Sequence, residues 1–209
     1  SIPEEKLKVI HGGVDLERFH PCSPGVIKER YELNDYLLCV GEVRPYKNME
    51  NVFRALELWS DGPQLAISGK IFGNHKAKLE NLARSLNIEN RVTWLGYVPD
   101  DLLPNLYSEA AAFIFPSLYE GFGLPILEAM ACGCPTLSSN MASLPEIGGK
   151  AAHFFDPKEI GDMAEAIKKV CEDSVYRQKL AQGGPKHAKK FSWESSTKKH
   201  MELFETVLN

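Results

Sequence analysis

The sequence predicts an α/β protein with a doubly wound parallel sheet, and three observations lead to this fold class. Segments typical of strands alternate with segments typical of helices along most of the chain. The strand-like segments are short apolar runs, as in YLLCV at residues 36–40, which are typical of strands buried on both faces. The helix-like segments repeat their apolar residues every three or four positions. This alternation is the pattern of a parallel sheet covered by helices on both faces.

Seven segments are predicted as strands because each is a β-prone or apolar run. The first is ended by Gly12 and Gly13, the second by Gly41 and the third by Gly69. In order, the predicted strands are residues 8–10, 36–40, 64–68, 91–95, 111–115, 136–138 and 152–155. Ligands of doubly wound sheets bind at the carboxyl ends of the strands, so the loops that follow strands are the places to search for chemistry.

The helices are predicted from the apolar spacing, which is clearest at positions 49, 52, 53 and 56. After the last strand, Asp156 and Pro157 predict an N-cap and a first helical position. In order, the predicted helices are residues 49–59, 76–86, 100–109, 124–132, 160–170, 175–188 and 192–208. We therefore expect a single domain over residues 1–209, with a strand-rich part at about 8–155 and a helical tail at about 157–208.

Composition and charge exclude several classes of protein. With 24 Lys and Arg against 28 Asp and Glu, the formal net charge is −4, which disfavours a nucleic-acid-binding protein because such proteins present a basic face. The contents of 44% hydrophobic and 25% charged residues are typical of a globular protein. The longest apolar stretch, residues 110–115, is too short to span a bilayer. Residues 1–6 lack the features of a signal peptide, so we expect the protein to act in the cytoplasm.

The cysteines and histidines do not form a metal-binding pattern. Cys132 and Cys134 form a C-x-C without nearby ligands, so we expect the five cysteines to be reduced and packed as small apolar residues. The six histidines are scattered, and we expect no metal and no cofactor. The sequence also lacks G-x-G-x-x-G at a dinucleotide position, the P-loop motif and the G-x-S-x-G elbow, which disfavours nicotinamide enzymes, P-loop NTPases and hydrolases with that elbow.

The most informative segment is PSLYEGFGLPILEA at residues 116–129, a loop that leads from a predicted strand into a helix. Gly121 and Gly123 let the backbone approach a ligand, and the helix start presents free N–H groups and the positive end of its dipole. Glu120 and Glu128 can bracket a bound molecule. Because carboxylates repel phosphate, they suit sugar hydroxyls. Glycine-rich loops are common in α/β proteins and glutamate is favoured near helix starts, but the combination favours a ligand site.

The distribution of charge adds a second argument. No Lys or Arg occurs between Arg91 and Lys150, whereas six carboxylates do. A diphosphate bound at the start of the helix at 124 would need cations from another loop, and the loop after the strand at 36–40 offers Arg44 and Lys47. A solvated surface loop is the alternative explanation. The weaker candidates for backbone contacts with a ligand, all at strand ends, are Gly12, Gly13 and Val98.

Together these residues resemble the C-terminal, nucleotide-sugar-binding domain of a GT-B glycosyltransferase of the large retaining family 4, one half of a fold with two Rossmann-like domains. The likeness runs from Val9 to Glu194, and its most specific part is EGFGLPILE at residues 120–128, which fits the family's E-x7-E motif. The resemblance implies that Glu128 holds the ribose hydroxyls and that Glu120 contacts hydroxyls of the donor sugar. It also implies donor contacts by Gly121 and by the backbone of Phe122, Gly123 and Leu124, a diphosphate contact by Lys47 and a base contact near Val98.

Three positions depart from the family's pattern. After the strand-end glycine the family usually has Arg or a small residue, and here this position is Glu42. Directly before the lysine the family usually has Arg, and here this position is Tyr46. The second phosphate cation is therefore open, with Arg44 as the candidate. Gly12 replaces the usual Asn of the family's N-G-[VI]-D turn. None of these changes touches the two carboxylates of the E-x7-E motif.

The resemblance implies transfer of a hexosyl group from a nucleoside diphosphate sugar to an acceptor hydroxyl with retention of configuration, without a metal. It also implies an N-terminal domain that binds the acceptor, which is absent from these residues, so little or no turnover is expected from this domain alone. The donor stays open between GDP-mannose, which the Lys47-Asn48 pair favours, and a UDP-hexose. Peripheral association of the full-length protein with a membrane is open too. The alternatives are a non-catalytic sugar-nucleotide-binding module and a GT-B-like sugar-nucleotide epimerase.

Overall fold

The computed structural model describes residues 2–71 and 73–208, so both ends of the expected 1–209 domain lie just outside the described residues. It confirms the predicted fold class: a six-stranded parallel sheet has the order β3-β2-β1-β4-β5-β6, and helices flank it. This is the strand order of a Rossmann-like domain, which reverses between β1 and β4. The strands are β1 (Tyr36–Val40), β2 (Gln64–Ser68), β3 (Val92–Gly96), β4 (Ala112–Phe115), β5 (Thr136–Ser139) and β6 (Ala152–Phe155).

The central strands form because both of their faces are covered. In β4 every residue is buried, and in β1 only Val40 at the carboxyl end is partly exposed. Successive side chains of these strands enter two separate cores: Leu38 and Phe113 belong to one, and Leu37 and Ile114 to the other. The apolar runs in the sequence are therefore continuous because the sheet has a core on each side.

Helices cover both faces of the sheet, and the longest ones follow the last strand. Where a helix packs on the sheet its apolar residues share one face, as in α2, where Val52, Phe53 and Leu56 are buried. The α-helices of the described residues are α1 (Val26–Tyr31), α2 (Met49–Glu57), α3 (His75–Ser85), α4 (Leu103–Ser108), α5 (Leu124–Ala131), α6 (Leu144–Gly148), α7 (Ile160–Glu172), α8 (Ser174–Ala188) and α9 (Trp193–Leu208). The predicted helical tail is thus present as α7, α8 and α9.

Two predictions were wrong, one about a strand before the sheet and one about the start of the helix after it. Residues 8–10 are not a strand: Lys8 and Val9 are exposed, and the segment lies beside Lys199, Glu202 and Leu203 of α9. The segment does not join the sheet of the described residues, whose edge strands are β3 and β6. The strand-rich part therefore begins at residue 36.

The predicted N-cap at Asp156 is also wrong. α7 begins at Ile160, and its N-cap is Glu159. The Asp156 carboxylate instead accepts the backbone N–H of Lys158 at 2.9 Å. This contact closes a turn that contains Pro157, so the local capping chemistry is present but serves the turn before the helix.

The sheet opens a crevice where its strand order reverses. β1 pairs with β4 only through Leu37–Ala112 and Leu38–Phe113, although β1 continues to Val40 and β4 to Phe115. The carboxyl ends of the two central strands therefore separate, and the loops that follow them flank the gap.

None of the helices in residues 2–71 and 73–208 has the length and apolar character that a membrane-spanning segment needs.

Candidate functional site

Two loops meet over the crevice, one after β1 and one after β4. The backbone N–H of Leu118 donates to the carbonyl of Tyr46 at 2.8 Å, which joins them directly. The buried Asn48 joins them again: its side-chain amide donates to the carbonyl of Pro116 at 3.2 Å and to that of Pro157 at 2.8 Å. These bonds fix the two predicted parts of the site relative to each other.

Lys47 and Glu120, predicted separately on these two loops, are brought together by the fold. Lys47 Nζ lies 2.6 Å from Glu120 Oε1, and each side chain is only 15% exposed. The ammonium also lies 4.7 Å from the centre of the Phe115 ring, at the end of β4. Lys47 lines a small pocket together with Gly41 and Pro116 at the strand ends. The site therefore holds one cation and one carboxylate, paired, at the mouth of the crevice.

Glu128 lies in α5 and is largely buried. Its Oε2 accepts the hydroxyl of the buried Tyr107 at 2.9 Å. Burial raises the pKa of Glu128, whereas the Tyr107 hydrogen bond and the positive charge of Arg18 lower it, and the charge of Asp100 raises it further. Burial likewise raises the pKa of Tyr107 well above its ordinary value. Glu128 is thus a largely desolvated carboxyl group that accepts a hydrogen bond from Tyr107.

The loop between the two glutamates presents backbone to the crevice side. Gly123 is the N-cap of α5 with φ +104°, and its added Cβ would lie 2.8 Å from a methyl group of Leu144, so a glycine is required there. Gly121 is exposed, and Leu124 begins the helix with its side chain partly exposed. The Ser143 hydroxyl lies 3.2 Å from the carbonyls of both Glu120 and Phe122. Ser143 therefore holds the loop, and no side chain in the described part of the chain caps the N-terminus of α5.

The side chain of Phe122 packs away from the Lys47–Glu120 pair. Its ring centre lies 6.1 Å from that of His11 and 6.3 Å from that of Phe191, and His11 Nε2 contacts Glu146 Oε1 at 2.7 Å. The ring of Phe122 is thus engaged with His11 and Phe191, and a ligand contact by its backbone stays a prediction.

Gly12 and Gly13 have a packing role in the structure. An added Cβ at Gly13 would lie 2.2 Å from the backbone nitrogen of Trp193, so the chain's own backbone requires a glycine there. At Gly12 the added Cβ would lie 3.5 Å from the Phe122 ring. The close approach predicted for these glycines is thus made by the start of α9 and by the Phe122 ring, and a direct ligand contact stays a prediction.

The remaining predicted residues, Arg44 and Val98, lie in the loops after β1 and β3. Arg44 Nε donates to Glu42 Oε2 at 2.8 Å, so the glutamate that departs from the family's pattern pairs with the candidate second cation. Val98 is buried, 2% exposed, in the loop after β3. The same loop is contacted by Arg18, which donates to the carbonyl of Asp100 at 2.9 Å.

Sequence reasoning missed four residues that support the site, namely His11, Arg18, Tyr107 and Ser143. Their partners are distant in sequence: Arg18 and Asp100 are 82 positions apart, and His11 and Glu146 are 135 apart. No local pattern marks such pairs. Within the described residues no group of three His, Cys, Asp or Glu could hold a metal ion. The five cysteines are free, and burial raises the pKa of Cys132 to about 12.

Comparison with known proteins places these features in a family. Residues 27–187 match the family described as "Glycosyl transferases group 1". The chain is 36% identical over 190 residues to O-antigen chain mannosyltransferase B of Escherichia coli, with 89% of this chain and 50% of the relative covered. It is 33% identical over 217 residues to a D-inositol 3-phosphate glycosyltransferase of Corynebacterium jeikeium, with 96% and 52% covered. The chain thus spans about half the length of these curated relatives.

Solved structures share the fold. Anabaena HepE, in complex with UDP and glucose, matches with a TM-score of 0.89 at 23% identity, over 98% of this chain and 58% of that chain. The C-terminal domain of the group 1 glycosyl transferase LpcC from Francisella tularensis matches with a TM-score of 0.74 at 22% identity, over 85% of this chain and 97% of that chain.

Proposed function

The chain belongs to the group 1 glycosyl transferases, and we propose that it is the C-terminal, donor-binding domain of a retaining GT-B enzyme of family 4. The observation that carries the proposal is the arrangement of three groups at the reversal of strand order: the Lys47–Glu120 pair at 2.6 Å on the loops after β1 and β4, and the desolvated Glu128 in α5. This is the location at which such sheets bind nucleotides. The E-x7-E spacing of the two glutamates supports the same assignment.

The donor is held by groups that suit its different parts. The Glu128 carboxylate accepts the ribose hydroxyls, and Glu120 accepts hydroxyls of the donor sugar. Backbone N–H groups at residues 122–124 and the start of α5 face the sugar and its phosphates. Lys47 neutralises the diphosphate, with Arg44 as the second cation. The backbone near Val98 meets the base.

In the reaction the bond between the anomeric carbon and the diphosphate oxygen breaks, the acceptor hydroxyl oxygen bonds to the same carbon with retention of configuration, and the hydroxyl proton passes to the leaving diphosphate. Negative charge then grows on the leaving diphosphate, and Lys47, Arg44 and the N-terminus of α5 stabilise it. Because Lys47 is already paired with Glu120, the ammonium exchanges part of that contact for the phosphate when the donor binds. No metal is required in this scheme, since these cations and the helix dipole oppose the charge.

The acceptor is held by a further domain. The relatives named above are about twice as long as this chain, and we propose that an N-terminal domain supplies the acceptor site and closes the cleft. The present domain alone should bind the donor and turn over slowly or not at all. We propose a cytoplasmic location for it, with peripheral attachment of the whole enzyme to a membrane left open.

For the donor itself we favour GDP-mannose over a UDP-hexose. The E. coli relative is named a mannosyltransferase, whereas the Anabaena structure contains UDP and glucose. The Lys47-Asn48 pair adds less than its pattern suggested, because the Asn48 amide is occupied by the Pro116 and Pro157 carbonyls. The preference therefore rests on the relatives' names.

Calorimetric titration with UDP-glucose, ADP-glucose and GDP-mannose tests the proposal. The wild-type domain should bind at least one of them, and Glu128→Ala should abolish that binding. Glu165→Ala, which changes an exposed glutamate of α7, is the matched control and should bind as the wild type does. If no sugar nucleotide binds, or if Glu128→Ala binds as tightly as the control, the proposed function is wrong.

A further inference from the structure

A tight turn at residues 15–19 lies beside Glu128 and has no place in the reaction proposed above. The Asp15 carboxylate accepts the backbone N–H groups of Glu17 at 3.0 Å and of Arg18 at 3.1 Å. The N–H of Phe19 donates to the Asp15 carbonyl at 2.8 Å. Three hydrogen bonds within five residues make this turn a defined support for the side chains that follow from it.

One side chain of the turn, Arg18, reaches the loop after β3. A guanidinium nitrogen of Arg18 donates to the carbonyl of Asp100 at 2.9 Å and lies 3.5 Å from the Asp100 carboxylate. The guanidinium also lies 4.9 Å from the centre of the Phe19 ring, which limits its freedom. Arg18 therefore fixes the backbone two residues beyond Val98.

The next side chain, that of Phe19, packs on Tyr107, the residue that supports Glu128. Phe19 is buried, and its ring packs edge-to-face on Tyr107 with 6.2 Å between ring centres. Tyr107 is the residue whose hydroxyl donates to Glu128 at 2.9 Å. The turn thus contacts both the loop assigned to the base and the phenol that orients the carboxylate assigned to the ribose.

We propose that Arg18 is a positioning residue for the nucleoside end of the donor site, because it holds the loop after β3 through Asp100 and lies over the Phe19 ring that packs on Tyr107. This inference rests on the proposed function, since it takes Glu128 and the Val98 backbone as the nucleoside contacts.

The charge of Arg18 has a definite sense at Glu128. The groups that face this carboxyl are the Tyr107 hydroxyl, Arg18, Asp100 and the thiol of Cys132. Burial raises the pKa of Glu128, and Asp100 raises it too, so Arg18 is the cation that opposes both. Without Arg18 the carboxyl should take up a proton at a higher pH, and a protonated carboxyl is a poorer acceptor for ribose hydroxyls.

The experiment compares Arg18→Gln and Arg18→Lys with the wild type and with Arg30→Gln as the matched control. Arg30 also lies over a neighbouring aromatic ring, that of Tyr31. Binding of UDP, UMP, GDP and GMP is measured by calorimetry from pH 5 to pH 8, and the Glu128 carboxyl is titrated by carbon NMR without nucleotide. Glu128→Ala is measured in parallel.

Arg18→Gln should weaken mono- and diphosphate binding by the same factor, about fivefold to tenfold, because the lost contact serves the nucleoside and not the phosphates. The acidic limb of its binding profile and the NMR titration of Glu128 should both move to higher pH. Arg18→Lys should keep the wild-type pH profile, since it keeps the charge, but lose part of the affinity, since lysine lacks the planar fork of donors. Arg30→Gln should match the wild type.

The inference is overturned if Arg18→Gln leaves the NMR titration of Glu128 unchanged, or if it binds nucleotides as the wild type does. Loss of affinity for diphosphates alone would place Arg18 at the phosphates and would also overturn it. If Glu128→Ala binds nucleotides normally, the proposed function itself has failed, whereas loss in Glu128→Ala with an unaffected Arg18→Gln would refute only the role of Arg18.

Discussion

At the scale of single residues, Glu128 shows how burial and polar partners oppose each other at one carboxyl group. Burial is the largest influence on its pKa and raises it, the Tyr107 hydrogen bond and Arg18 lower it, Asp100 raises it, and the net result is a raised pKa. The folded state therefore favours the protonated form relative to the unfolded state. This contribution to stability is fully present below the ordinary glutamate value of 4.5 and is lost as the pH rises through the raised pKa.

Glu128→Gln should remove this dependence. Glutamine carries no charge to desolvate, and its carbonyl oxygen can still accept the Tyr107 hydroxyl. The variant should be more stable than the wild type at pH 7.5, with the difference shrinking toward pH 4.5. Urea unfolding at the two pH values measures this, with Glu165→Gln as the control. A difference that is equal at both pH values would contradict the assignment of the raised pKa.

Lys47 and Glu120 should be coupled in stability as well as in function. Both side chains are only 15% exposed, so Lys47→Met leaves a desolvated carboxylate without its cation. We expect a loss of about 2 kcal/mol, because removing one partner of a buried pair is costly. Most of this loss should be recovered in the double variant Lys47→Met/Glu120→Gln. A double-mutant cycle from urea unfolding gives the coupling energy, and additive effects of the two changes would refute the coupling.

The residues that sequence reasoning identified and those that it missed differ in one physical respect. Glu120, Glu128 and Lys47 lie in short segments that combine a strand end, glycines and a helix start, and such chemistry is local. Arg18 and Tyr107 act through partners that the fold brings near, with Arg18 82 positions from Asp100. Long-range pairs of this kind follow only from the tertiary structure.

At the scale of elements, the loop that begins α5 depends on one backbone conformation. Gly123 has φ +104° and lies against Leu144, whereas Gly121 has open space around it. Gly123→Ala should therefore lose about 1 to 2 kcal/mol of stability and most of the affinity for UDP or GDP, since the residue would leave the left-handed region and displace the helix start.

Gly121→Ala is the matched control for this prediction. Its added methyl group meets nothing within 4 Å, so the free energy of unfolding should stay within about 0.5 kcal/mol of the wild type. Urea unfolding and calorimetric titration are done on both variants. Equal effects of the two substitutions would mean that the loop is malleable and that its geometry is set by the ligand.

The elements whose positions were predicted well are the strands of the sheet and the longer helices that pack on its faces. The strands from β1 to β6 were placed within one residue at each end, because most of them are short apolar runs bounded by Gly, Pro or other turn residues. The short helices α1 and α6 were missed. α1 depends on a distant cap: the Glu109 carboxylate accepts the backbone N–H of Ile27 at 3.0 Å. A six-residue helix with such a cap carries almost no periodic signal of its own.

At the scale of the whole molecule, the sheet consists of two halves that meet at β1 and β4. β1 to β3 form one half and β4 to β6 the other, and the central strands pair only through Leu37–Ala112 and Leu38–Phe113. Over the crevice, the loops after β1 and β4 are also joined by the backbone hydrogen bond from Leu118 to Tyr46, by Asn48 and by the Lys47–Glu120 pair. The proposed diphosphate would bind to this junction, so the ligand should add links between the two halves.

A bound nucleotide should therefore raise the stability of the whole domain and not only order a loop. At a ligand concentration of 100 times Kd the linkage is worth about 2.7 kcal/mol, which for a chain of this size corresponds to a rise in Tm of about 5 to 10 °C. Thermal unfolding followed by circular dichroism, with UDP and with GDP, measures the shift. Lys47→Met should show little shift with either diphosphate at the same concentration, because its cation is gone, and Lys186→Met, which changes the last turn of α8, should shift as the wild type does. A wild-type domain whose Tm is unmoved by saturating nucleotide would show that UDP and GDP do not bridge the two halves, and the crevice would then need another ligand.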